Sequence, residues 1–72
     1  MIKLSSVMGL IEKFLKGKKL VENGAISSVM FYFHSGGVIS VDIYVANSIN
    51  RSFLIHPETE IEDIRGILGN GD

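Results

Sequence analysis

Few side chains in this 72-residue sequence are suited to acid–base or nucleophilic chemistry. His34 and His56 are the only imidazoles, and there is no cysteine. A catalytic histidine would have to converge with a nucleophile or a carboxylate inside a pocket. The plainer reading is an exposed cross-strand partner, worth about 0.2–1 kcal/mol, and it is the one preferred here. Ser35-Gly36-Gly37 has the composition of a phosphate-cradling loop. A P-loop, however, needs a lysine, a hydroxyl and a following helix, whereas this segment leads into Val38-Ile39-Ser40-Val41, a strand pattern. Turn chemistry accounts for it.

Two charge clusters remain. Glu58, Glu60, Glu62 and Asp63 have the carboxylates of a divalent-cation site but not the interleaved glycine turn of a calcium loop. They match the acidic preference of a helix N-terminus instead. Lys13, Lys16, Lys18 and Lys19 are a candidate contact for nucleic acid or an anionic membrane surface. With no arginine interleaved, they read better as a solvated face that compensates a helix dipole. A net charge of −1 also argues against a dedicated nucleic-acid binder. Two histidines without a thiolate make a structural zinc a poor fit, so no metal or cofactor is expected. No set of motifs is complete enough to assign a family.

The elements that would position these residues follow from apolar spacing. Val7, Met8, Leu10, Ile11, Phe14 and Leu15 recur at three- and four-residue steps, which predicts an amphipathic helix over 5–16. Gly17 is expected to end it in a left-handed cap. Gly9 costs about 1 kcal/mol against alanine in a helix and suggests a closely approaching neighbour. Residues 18–25 form a connector with an Asn23-Gly24 turn, in which Leu20 and Val21 make a brief strand or pin the loop to the core. Strands are predicted over 26–34 and 38–46, and a third over 51–56 after a turn at 47–50. Thr59 and Glu62 fit a capping box for a helix over 60–68, with stripe Ile61, Ile64, Ile67 and Leu68, stopped by Gly69. Residues 69–72 are expected to fray.

Hairpin loop length decides which side chains share a face. A three-residue loop at 35–37 pairs 34 with 38 and aligns Val29, Phe31 and Phe33 with Ile39, Val41 and Ile43. A two-residue loop would put the two phenylalanines in water, at about 1.5–3 kcal/mol each. The three-residue loop is therefore expected, with Ser28, Met30 and Tyr32 on the reverse face against Ser40, Asp42 and Tyr44. A second three-residue loop at Ser48-Ile49-Asn50 would bring Phe53 and Ile55 to the core face. It would set Leu54 beside Tyr44 and His56 beside Asp42 on the reverse face.

The expected architecture is α+β: an N-terminal helix, a three-stranded antiparallel meander and a short C-terminal helix, with both helices on one sheet face and residues 1–72 forming one domain. A chain of this size buries only about 60% of its unfolded surface. Yet 46% of its residues are hydrophobic. That surplus points to a partner, and the reverse face is where it concentrates: Met30, Tyr32, Tyr44, Leu54, Asp42 and His56 are the expected partner-binding residues. Tyrosine and methionine ringed by polar groups is an interface composition; the alternative is that a loop such as 18–25 folds across this face. The expected function is a non-enzymatic interaction or regulatory protein, an adaptor or inhibitor, that self-associates as a homodimer or binds another protein. The alternatives are nucleic-acid binding through the lysine cluster and a small histidine-dependent nuclease.

Charge is divided unevenly along the chain. Residues 1–24 carry a net +3 and residues 25–72 a net −4, an asymmetry that attracts within a fold or between subunits. No stretch approaches the roughly 20 apolar residues of a membrane span. The early apolar run is broken by Ser5, Ser6, Gly9, Glu12 and Lys13 without a small-residue cleavage site. With no cysteine, a cytoplasmic location is the expectation.

Overall fold

A computed structural model describes residues 2–17 and 27–69. The connector at 18–25 with its Asn23-Gly24 turn, Leu20 and Val21, together with Lys18, Lys19 and 70–72, lies outside the described residues. Helix α1 spans Leu4–Gly17, and strands β1 Ser27–Phe33, β2 Ile39–Val45 and β3 Ser48–Ile55 form an antiparallel sheet in the order β1-β2-β3. Helix α2, Ile61–Ile67, follows. This is the expected α+β fold. No described helix is long and apolar enough to cross a membrane.

One hydrophobic cluster joins the layers. Val7, Ile11, Phe14 and Leu15 of α1 meet Val41, Ile43, Phe53 and Ile55 of the sheet, with Ile64 and Leu68 from the α2 segment. The four strand residues share one sheet face, so both helices cover that face. Val7, Ile11, Val41, Ile43 and Ile64 are fully buried. Truncating such a residue to alanine costs about 2–5 kcal/mol, a large share of what a domain this small possesses.

The first hairpin has the expected register: Val29 faces Ile43, Phe31 faces Val41 and Phe33 faces Ile39. The His34 N–H donates to the Val38 carbonyl at 2.8 Å across Ser35-Gly36-Gly37, where both glycines hold φ +76°. Glycine adopts this left-handed conformation without a Cβ penalty. Phe33, however, is not in the core and is 70% exposed. The fully buried sheet residues belong to β2, and those of β3 are nearly so, while Val29 and Phe31 of β1 are only half-buried. The helix layer is thus centred over β2 and β3, and the end of the outer strand lies beyond it.

The second hairpin differs from expectation. Its turn is Ala46-Asn47, with φ 53° and 68°, and Val45 faces Ser48. Positive φ at both central residues is the two-residue hairpin turn whose twist matches the strands. Such a turn alone would drive Phe53 and Ile55 outward. An irregularity between Ile43 and Tyr44, where Asn50 is the unmatched residue on β3, restores them: Phe53 faces Val41 and Ile55 faces Ile39. The earlier start of β3 and the bulge leave the faces as expected while moving the pairing along the strand.

Smaller features also differ. The Glu60 N–H donates to Asp63 Oδ2 at 2.9 Å, so α2 begins on Glu60/Asp63 and not on Thr59/Glu62. Thr59 Oγ1 is occupied one turn earlier, accepting the His56 N–H at 2.9 Å over Pro57 and Glu58. Gly17 ends α1 without a left-handed φ, whereas Gly69 stops α2 at φ +71°. Among the described residues a Cβ on Gly9 would meet nothing within 4 Å, so none of them approaches it closely.

Candidate functional site

The reverse face of the sheet collects the residues that have both apolar area and hydrogen-bonding groups. Alternation along the strands places Ser28, Met30 and Tyr32 of β1 there, with Ser40, Asp42 and Tyr44 of β2. From β3 come Ile49, Ser52 and Leu54, opposite Tyr44, Asp42 and Ser40. Met30 is 44% exposed, Tyr32 41%, Leu54 50% and Ile49 56%. Isolated apolar residues on a surface need no explanation. Four of them gathered on one face of a three-stranded sheet, with Ser40, Asp42 and Ser52 between them, do.

Two expected positions are corrected. Leu54 faces Ser40, not Tyr44, and His56 lies beyond β3 in the turn toward α2, not beside Asp42. Both shifts follow from the two-residue turn at Ala46-Asn47, which starts β3 at Ser48. Ser52 takes the place expected for His56, and its hydroxyl donates to the Asp42 carboxylate. Ile49, read from sequence as part of a loop, takes the place expected for Leu54 beside Tyr44. The clue that could have located it is Asn47, a residue type that tolerates a left-handed turn position.

Electrostatics within the face are local. The Tyr44 phenol is raised above its ordinary value, first by partial burial, then by the neighbouring Tyr32 phenol and the Asp42 carboxylate. Two tyrosines with one carboxylate among them make a surface of rigid apolar area with polar tips, which suits protein contacts at low entropic cost.

One hydroxyl–imidazole pair lies on the same face. His34 Nε2 and Ser40 Oγ are hydrogen-bonded at 2.8 Å, a distance at which a base can activate a hydroxyl. A triad would also need a carboxylate on the far nitrogen of the imidazole. Asp42 is the nearest candidate on the face, and it is bonded to Ser52. His34 is exposed. His56 does not join it. Among the described residues no group of three His, Asp or Glu side chains is placed to hold a metal ion.

A shallow cleft of about 280 Å³ between the starts of the two helices is lined by Ile2, Lys3, Ser6, Thr59, Glu60 and Ile61. Lys13 and Lys16 are exposed on α1, away from the sheet's open face. Compared with known protein families, with curated proteins and with solved structures, the chain finds no match in any of the three.

Proposed function

We propose that this is a small, non-enzymatic interaction protein, a regulator, inhibitor or assembly adaptor, that binds another protein chain through the open sheet face and self-associates. The observation that carries the proposal is the set Met30, Tyr32, Ile49 and Leu54, each 41–56% exposed, on the same face as Tyr44 and interspersed with Ser40, Asp42 and Ser52. Leaving such a set in water forgoes about 25 cal/mol for each Å² of apolar surface that a partner would cover. Serines and one carboxylate between the apolar groups supply the polar pairing that makes an interface selective.

Sedimentation of the wild type beside Tyr32→Glu and Leu54→Glu, each with a pulldown from the source cells, tests the proposal. The expected result is a wild-type species larger than the monomer, together with a discrete co-purifying protein that is recovered with the wild type and lost with the face variants. Both positions are largely exposed, so the variants should fold. A monomer in all three samples with no protein recovered would overturn the reading.

A further inference from the structure

We propose that self-association runs through the outer edge of β1, which pairs antiparallel with β1 of a second copy to make one continuous six-stranded sheet. The inference rests on the preceding reading only for the fact of self-association; the route is argued from the strand. Because the His34 N–H bonds to the Val38 carbonyl, the even-numbered residues of β1 turn their backbone groups toward β2. The odd-numbered residues Ser27, Val29, Phe31 and Phe33 turn theirs outward. Among the described residues nothing pairs with them. Open edges of this kind are templates for another strand, and proteins guard them with charge, proline or a bulge. The sequence of β1, SSVMFYF, has no charged residue, proline or glycine. The opposite edge is guarded: β3 contains Arg51 and the bulge at Asn50, and Pro57 follows it closely.

A second copy suits this edge better than an unrelated strand does. A two-fold axis through Met30 sets Val29 against Phe31 of the second copy and Ser27 against its Phe33, so the whole of β1 is paired end to end. No like charges oppose each other anywhere along the strand. The same docking covers the part of the core face that the helices leave open, where Val29 and Phe31 are half-buried and Phe33 is 70% exposed. On the reverse side it joins the two apolar sets into one surface, with Met30 beside its own symmetry mate.

Residue-resolved amide exchange of the wild-type chain over a dilution series tests the route. Met30 and Tyr32, whose N–H groups bond to β2, serve as the internal reference. Edge pairing predicts that Val29 and Phe31 amides are protected and lose that protection on dilution. Val29→Pro, which removes an outward N–H but no bond to β2, should then sediment as a monomer. Fast exchange at Val29 and Phe31 at every concentration would overturn the proposal. So would protection that does not change with concentration, because the chain would then be covering its own edge. If association persists while these amides exchange freely and Leu54→Glu abolishes it, the open face carries self-association and only the edge route fails. If protection follows concentration while Leu54→Glu leaves every contact intact, the edge stands and the face reading fails.

Discussion

The guanidinium of Arg51 lies 5.0 Å from the centroid of the Phe14 ring while its Nη1 donates to the Ile67 carbonyl at 2.7 Å. One side chain of β3 thereby touches α1 and closes the C-terminal end of α2. The carbonyls of a last helical turn have no partner within the helix, and a cation there also opposes the negative end of the dipole. Arg51 faces Ile43 on the core side of the sheet, so its stem packs on the apolar layer while its head reaches the helix ends.

Replacing Arg51 by alanine should cost about 2 kcal/mol, from a charge-assisted hydrogen bond and a partly exposed cation–π contact. In a domain this small that lowers the melting temperature by roughly 8–16 °C. Lysine should recover only part of the loss, because an ammonium cannot stack and donate in the same plane. Thermal unfolding of the two variants checks this. Equal stability of Arg51→Ala and wild type would remove Arg51 from the account of how the helices are held.

The second hairpin allows a sharper test of register. Ala46 adopts φ 53° without being glycine or asparagine, at a cost of about 1 kcal/mol. Changing Ala46-Asn47 to Asn-Gly should stabilise the protein by about 1 kcal/mol, read by denaturant midpoint, because both residues then suit the turn. Deleting Asn50 should do the reverse and abolish cooperative unfolding, since without the bulge Phe53 and Ile55 turn outward.

Gly9 and Gly66 are helical, without left-handed φ, and among the described residues an added Cβ would meet no atom within 4 Å outside its own helix backbone. Alanine at each should stabilise by about 0.5–1 kcal/mol. Lying on different helices, the two changes should add. A loss of stability at Gly9→Ala would show that something does pack against that face of α1.

The fold was legible where one residue type decided a parity. Three residues between the first two strands, and the large cost of exposing Phe31, were enough to assign every residue of that hairpin to a face. Phe33 shows the limit of the argument. Alternation gives the face but not how far the helices extend over it. In the second hairpin the turn was hidden because Ala46 does not announce a positive φ, and the bulge at Asn50 offset the error for Phe53 and Ile55. The candidate face was therefore legible at Met30, Tyr32, Asp42 and Tyr44, whose strands were placed correctly. It was misplaced at His56 and missed at Ile49, both of which depend on where β3 begins. Arg51 could not be read at all, because its partners come from Phe14 and Ile67, far away in the chain.

A photo-reactive phenylalanine analogue in place of Leu54, compared with one in place of Glu12, tests the central claim most directly. Leu54 lies on the open sheet face, and Glu12 is exposed on α1, on the other side of the molecule. A discrete crosslinked species of defined mass is expected from the Leu54 position and none from Glu12. No adduct at Leu54, or equal adducts from both positions, would contradict it.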